Sequence, residues 1–411
     1  MNYAPEVSGI GPYAAGLAEG LAGRGALVRV LTTFAHYPQW KFSSGRPRSK
    51  EVSNAGNVRV VRLRHCLPKT PIGISRVFSE LSFGVRAILA SWDGVSVIVT
   101  ISPALFSSFP VTLRALLMRK PLVVWAQDLY SPGLRETRKG GRISRWITFQ
   151  SEKFVLRKAT RVVVIHERFG QLVNTEFGVD LARIEIIRNW SHTPLSTAAD
   201  RANIRRTFGW SENDVVALHS GNMGVKQGLE NVVKAAAIAD SIGSRVRFVL
   251  IGDGSQRKRL ADSAIGIGSI EILDPLPEGA YAAALAAADV LLVNEAPGVA
   301  EMAVPSKLTA YFGTGRPVVA ASNEASITSQ EIRAAGAGIV VSPHDPRALL
   351  AAIERLADTP EVMKSYGTSG LAFRQSMLTE QLAIDRFANL LKLVTSGISR
   401  QGGGTWQDAR L

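Results

Sequence analysis

Ser220-Gly221-Asn222-Met223-Gly224-Val225-Lys226-Gln227-Gly228-Leu229-Glu230 is the stretch whose reading decides the fold. It follows an apolar run, Val215 to Leu218, that reads as a buried strand, and it precedes a helical stripe of Leu229, Val232, Val233 and Ala236. A glycine-rich loop carrying one lysine therefore joins a strand to a helix. Glycines let a backbone approach an anion, a helix N-terminus offers free N–H groups, and Lys226 adds a full charge. The expected occupant is a phosphate. A plain strand–turn–helix corner is the alternative.

Outward from this loop the same alternation repeats in both directions. Strands are expected at 28–34, 58–64, 95–102, 122–128, 161–166 and 183–188, and again at 215–219, 247–252, 269–273, 290–294, 317–321 and 338–342. Helical patterns lie between them, among them 12–24, 347–357 and 380–394. The fold class predicted is α/β: two Rossmann-like, doubly wound domains facing a cleft. The first occupies 1–190, the second 204–378, a helix at 379–396 packs back toward the first, and the glycine-rich tail 397–411 is expected to be mobile. The polar segment 189–203 reads as a linker. One feature breaks the pattern. The glycine loop Ser8-Gly9-Ile10-Gly11-Pro12-Tyr13 has no strand before it, so the first N-terminal strand is missing from the sequence as it stands.

Composition narrows the class. The chain has 411 residues, 46% of them apolar, which points to a globular protein with ample core. Its single cysteine, Cys66, leaves no internal disulfide and fits a reducing cytoplasm. No secretory signal opens the chain. The uncharged run at 94–113 contains Pro103 and Pro110 and begins with β-branched residues, so it reads as strand, turn and helix and not as a membrane span. The net charge of +14 is carried entirely by residues 1–200; the remainder is neutral. A basic half suits an anionic lipid surface or a nucleic acid.

Two basic segments carry apolar residues at helical spacing. One, 74–92, has Val77, Leu81, Val85, Ile88 and Leu89. The other, 138–158, has Ile143, Trp146, Ile147 and Phe154. Either lies on an anionic membrane or packs its stripe against a sheet. A second anion site is expected at Pro305-Ser306-Lys307-Leu308, where proline pre-sets a helix start and the N–H groups of Ser306, Lys307 and Leu308 would face a diphosphate. Lys307 is a phosphate contact or a solvated lysine. Gly252 and Gly254 floor the same site or form an ordinary turn. Asp128, after Gln127 at a strand end, orients an acceptor hydroxyl or caps a turn. His36 and Trp40 are acceptor contacts or loop packing. Scattered histidines and the absence of any Asp-x-Asp pair argue against a metal, and no nucleophile elbow is present.

At these residues the chain resembles the retaining glycosyltransferases of family 4, which have the GT-B fold, and within them the colanic-acid-type fucosyltransferase subgroup. Asn2-Tyr3-Ala4-Pro5-Glu6 with Gly9-Ile10-Gly11-Pro12-Tyr13, Phe34-Ala35-His36-Tyr37-Pro38, Gln127-Asp128-Leu129, Asn189-Trp190, Gly221-Asn222-Met223-Gly224 with Lys226-Gln227-Gly228, and Pro305-Ser306-Lys307-Leu308 with Gly315-Arg316-Pro317 carry the likeness. The resemblance implies a hexosyltransferase that needs no cofactor. Its donor is a GDP- or UDP-linked sugar held by Gly9, Gly11, Gly221, Asn222, Gly224, Gly252, Gly254, Ser306, Lys307 and Leu308. Lys226 and Asp128 are the implied catalytic residues, and His36, Trp40 and Gln127 the acceptor contacts. The implied acceptor is a saccharide on a polyprenyl-diphosphate lipid, with no nucleic acid partner. The implied location is the inner face of the cytoplasmic membrane, as a peripheral protein making polysaccharide. Departures are visible. Met302 and Ala310 stand where many relatives carry a glutamate pair, Asn222 replaces an arginine, and His192 stands where the subgroup has aspartate. The rival readings are a nucleotide-sugar 2-epimerase of the same fold and a catalytically impaired polyanion- or membrane-binding protein.

Overall fold

The computed structural model describes residues 1–6, 9–37, 39–42, 47–68, 73–136, 141–191, 201–298 and 306–397. The tail beyond 397, the segments 137–140 and 192–200, and Ser8, Pro38, Met302 and Pro305 lie outside the described residues. The chain forms two compact units. One is Met1–Asn189 together with the chain from Glu380, and the other is Trp190–Thr379.

In the first unit the order is α1 (Gly11–Gly23), β1 (Val28–Thr33), β2 (Lys50–Ala55), β3 (Val58–Leu63), α2 (Ile74–Leu89), β4 (Ile98–Ser102), α3 (Leu105–Leu117), β5 (Leu122–Ala126), α4 (Tyr130–Glu136), α5 (Arg142–Lys158), β6 (Arg161–Val164), α6 (Glu167–Thr175) and β7 (Ile184–Ile186). Its strands make two sheets, β1-β3-β2 and β4-β5-β6-β7. All pairings are parallel except β2 with β3. Among the described residues no strand joins β1 to β4. The Met1 carbonyl instead accepts from the Thr33 N–H and from the hydroxyls of Thr32 and Thr33. Tyr3 is buried in a cluster with Ala14, Ala18, Val58 and Val60, against which Val28 and Val30 of β1 and Ile101 of β4 also pack. Strand β2 is the element that the sequence did not announce. All six of its residues are exposed, so it has no apolar alternation and is held only by its ladder to β3.

The second unit contains α7 (Arg201–Thr207), β8 (Val215–Ser220), α8 (Glu230–Ser241), β9 (Val246–Ile251), α9 (Arg257–Ala264), β10 (Ile270–Leu273), α10 (Glu278–Ala287), β11 (Val290–Asn294), α11 (Ser306–Phe312), β12 (Val318–Ala321), α12 (Ile327–Ala335), β13 (Gly338–Val341), α13 (Pro346–Ala357) and α14 (Pro360–Met377). Its six strands are all parallel, in the order β10-β9-β8-β11-β12-β13. Strands β8, β11 and β12 are buried throughout, as expected when helices cover both faces of a parallel sheet. One apolar cluster lies on each face. Strand order reverses between β8 and β11, and in such sheets ligands bind beyond the carboxyl ends of the strands at that reversal. Trp190, read as linker, is instead fully buried.

The last helix, α15 (Glu380–Ser396), belongs to the first unit. Its Ile384 lies against Gly20 of α1, where any Cβ would fall within 2.2 Å of it. Phe387 meets Trp125 of β5 edge-on at 4.8 Å, and Asp385 pairs with Arg24 at 2.7 Å.

Candidate active site

Strand β8 ends on two buried polar residues, His219 and Ser220. The Ser220 N–H donates to the Tyr311 hydroxyl at 2.9 Å, and that hydroxyl donates to the Leu292 carbonyl at 3.3 Å. The Ser220 hydroxyl meets Tyr311 at 3.1 Å and Tyr281 at 3.2 Å. Burial pushes both phenols up, so they remain protonated donors. This frame fixes the point where Gly221 leaves the sheet.

The loop that follows is clamped on two sides. The Gly221 N–H donates to Ile251 and the Met223 N–H to Asp253, each at 2.8 Å, and the Gln256 N–H donates back to Met223 at 2.9 Å. The two loops lie backbone against backbone. A Cβ at Gly252 would fall 1.9 Å from the Gly221 carbonyl oxygen, and one at Gly254 would fall 2.6 Å from Asn222 Oδ1. Their φ angles of +147° and +156° also exclude other residues. The glycine requirement at 252 and 254 is thus set by loop packing. On the other side, the Ala296 N–H donates to the Lys226 carbonyl at 2.7 Å. Asn294 Nδ2 donates to the carbonyls of Gln227 and Gly228, each at 2.8 Å, while Asn294 Oδ1 accepts from Asn231 at 3.0 Å. Lys226 therefore sits on a short 3₁₀ turn, Val225–Gln227, strapped to the end of β11, with its side chain exposed. Asn222 is exposed beside it, and Gly224 is half-buried.

Lys307 of α11 is half-buried, with its ammonium turned toward His219. Its ammonium lies 3.3 Å from His219 Nε2, and a Cβ on Gly221 would be 3.8 Å from it. His219 Nδ1 lies 3.2 Å from the Leu292 carbonyl, so Nδ1 carries the proton and Nε2 faces the ammonium as an acceptor. Burial, reinforced by the Lys307 charge, holds the imidazole well below its usual range. Burial likewise pushes the Lys307 ammonium down to about 8, against the opposing pull of Glu295. Among the described residues no carboxylate lies within ion-pair distance of Lys307. A desolvated cation with a neutral partner gains most from an incoming anion. Cations, amide groups and phenols suit phosphate oxygens, not a divalent metal. Leu308, expected at the donor, points its side chain into the core, so only its backbone is available. Ser306 opens the same helix, and its side chain lies outside the description.

In the first unit the expected residues divide. Gly9 has a φ of +66° and lies under the Tyr37 ring, and Gly11 opens α1 against the Glu6 carbonyl, 2.9 Å from where a Cβ would stand. Glu6 is buried and accepts the N–H groups of His36 at 2.9 Å and Tyr37 at 3.0 Å. His36 shows the packing of the second alternative. The ring is buried, is bonded to the Phe34 carbonyl at 3.0 Å, and packs edge-on against His65 and Trp40. Burial lowers both imidazoles, His65 to about 3. Trp40 stays half-exposed. Gln127 and Asn189 exchange amide hydrogen bonds at 3.0 and 2.6 Å, which ties β5 to the chain beyond β7. Asp128 Oδ1 accepts the Leu129 N–H at 2.9 Å, which is the turn-capping geometry.

Glu80 was not legible in the sequence. It is buried on α2, where it accepts the Tyr130 hydroxyl at 2.6 Å and the Phe106 N–H at 3.0 Å and pairs with Arg76 at 3.2 Å. A glutamate inside an amphipathic helix reads as surface.

The comparisons with known proteins agree with this geometry. Residues 8–190 match the family described as Glycosyl transferase 4-like domain, and residues 214–359 match Glycosyl transferases group 1. The chain is 27% identical over 410 residues to a colanic acid biosynthesis glycosyl transferase, WcaI, of Escherichia coli (strain K12), with 95% of this chain and 97% of that one covered. Its fold is similar to that of sucrose-phosphate synthase from Thermosynechococcus elongatus, with a TM-score of 0.71 at 17% identity and 95% and 94% of the two chains covered. It is also similar to Anabaena HepE, solved in complex with UDP, with a TM-score of 0.62 at 16% identity and coverage of 76% and 83%. The fold is thus GT-B, the class of two-domain sugar-transfer enzymes. The chain belongs to the glycosyltransferases built from these two domain families, and it is a hexosyltransferase.

Proposed function

We propose that this enzyme moves a hexose, with retention at the anomeric carbon, from a GDP- or UDP-linked donor to a lipid-linked saccharide in polysaccharide synthesis. The observation that carries the reading is the strapped Gly221–Gly228 loop at the strand-order reversal, with Lys226 on its turn and Lys307 at its base. The diphosphate leaves while the acceptor hydroxyl attacks from the same face. Negative charge grows on the leaving phosphate, and Lys226 and Lys307 stabilise it without reorganising. In the first unit, the Gly9–Gly11 loop and Asp128 are the proposed ligand contacts. The likeness to WcaI and to a fold solved with UDP supports this assignment.

The acceptor side of the proposal rests on the surface of the first unit. No described helix is long and apolar enough to cross a membrane. On α2, Phe83, Gly84 and Ala87 face inward, while Ile74, Phe78, Leu81, Val85 and Leu89 are exposed, Phe78 at 67% and Leu89 at 78%. On α5, Ile143 and Trp146 are 75% and 62% exposed beside Arg142. Exposed apolar side chains on a strongly basic unit suit peripheral binding at an anionic bilayer, where a lipid-linked acceptor resides.

The test is transfer of labelled sugar from GDP- or UDP-sugars to lipid-linked saccharide in anionic vesicles. The Lys226→Ala enzyme should turn over about 10²-fold more slowly or worse. Unchanged turnover would overturn the assignment. Release of an epimerised sugar without acceptor would favour the 2-epimerase reading.

A further inference from the structure

His219 and Lys307 are 88 positions apart in sequence, yet the buried His219 ring and the half-buried Lys307 side chain form one pair. His219 leaves β8 immediately before the glycine loop. Its orientation is not free, because its Nδ1–H is taken by the Leu292 carbonyl, which also receives the Tyr311 hydroxyl. The ring is fully buried, and Nε2 faces the ammonium of Lys307. That ammonium stands beside Gly221, where among the described residues Lys307 is the neighbour a Cβ would meet.

We propose that His219 is a positioning residue for the donor site: its ring holds the Lys307 ammonium at the mouth of the Gly221 loop, where it serves as a second cation for the diphosphate. This rests on the nucleotide-sugar reading and deepens it. The groups facing the ammonium are His219 from β8, Glu295 beyond β11 and, across Ser220, the protonated phenols of Tyr311 on α11 and Tyr281 on α10. The lysine titrates near 8 in the free enzyme, and a bound diphosphate raises that value. Anion affinity is therefore full below pH 8 and falls above it, as the free enzyme loses the proton. A neutral imidazole that accepts from the ammonium favours its charged form. Removing that acceptor lowers the lysine further and moves the fall to lower pH.

The test is calorimetric titration of the full chain with UDP and GDP between pH 7 and 9.5, where the terminal phosphate is fully ionised. Wild type, His219→Leu, His219→Gln and Lys307→Met are compared. Wild-type affinity should fall about tenfold across this range. Lys307→Met should bind about tenfold more weakly at pH 7 and show no such fall. His219→Leu should begin its fall about one pH unit lower, and His219→Gln, which keeps an acceptor, should restore the wild-type profile. A wild-type profile in His219→Leu, or a fall that persists in Lys307→Met, would overturn the proposal. The Lys307→Met arm decides alone if His219→Leu does not fold. Wild type that binds with no fall overturns this inference only; wild type that binds no nucleoside diphosphate at any pH overturns the nucleotide-sugar reading itself.

Discussion

The two units run the same alternation of strand and helix to opposite ends. The second has one uninterrupted sheet, is nearly neutral, and holds a half-buried lysine beside the Gly221–Gly228 loop. The first has a divided sheet and the whole net charge of the chain, and it displays apolar side chains on α2 and α5. The lesson is one of division of labour. On the proposed function, a small anionic ligand would be met by a partly desolvated cation in a rigid frame, and a broad anionic surface by dispersed charge with apolar anchors.

The contrast can be broken in order of expected effect. In the first unit, Phe387 is fully buried against Trp125, so Phe387→Ala should destabilise by about 3–5 kcal/mol, read by chemical denaturation. Unchanged stability would mean that α15 is not part of that unit. In the second unit, Lys307→Met should act in the opposite direction. The lysine sits at about 8 in the folded chain against 10.5 unfolded. From pH 8 to 10.5 the unfolded chain therefore holds a proton that the folded chain has released, and stability rises with pH. Below pH 8 the half-buried charge costs up to about 3 kcal/mol, less any screening by solvent, and the methionine removes that cost. The gain should vanish above pH 10.5, and equal stability at pH 7 would show that the ammonium is solvated.

Lys226→Ala should leave stability within about 0.5 kcal/mol, because its side chain is exposed, while turnover falls about 10²-fold. The smallest effect belongs to the outer face. Trp146→Glu with Leu89→Glu should weaken binding to anionic vesicles about tenfold, with nucleotide affinity unchanged. Equal vesicle binding would break the membrane half of the comparison.

What could be read in advance follows the same physics. Strands β8, β9, β11 and β12 are continuous apolar runs that a parallel sheet buries on both faces, and the glycines after them mark their ends. The strand–loop–helix corner at Gly221–Gly228 was legible because its glycines directly follow an apolar run. Strand β2 was not, because an exposed edge strand needs no apolar pattern. Periodicity found the α2 helix but not which stripe faces inward. Leu81, Val85 and Leu89 share spacing with core residues, yet they lie outside, and Glu80 lies inside. The His219–Lys307 pair and the Glu6–His36–His65 group were invisible because only the fold brings such distant residues together.

The most direct measurement is calorimetric titration of GDP, UDP and ADP into the wild-type chain and the Lys226→Ala chain. The account predicts that wild type binds GDP or UDP and that the Lys226→Ala chain binds it at least tenfold more weakly. Binding of none of the three, or equal binding by both chains, would contradict a phosphate site at the Gly221–Gly228 loop.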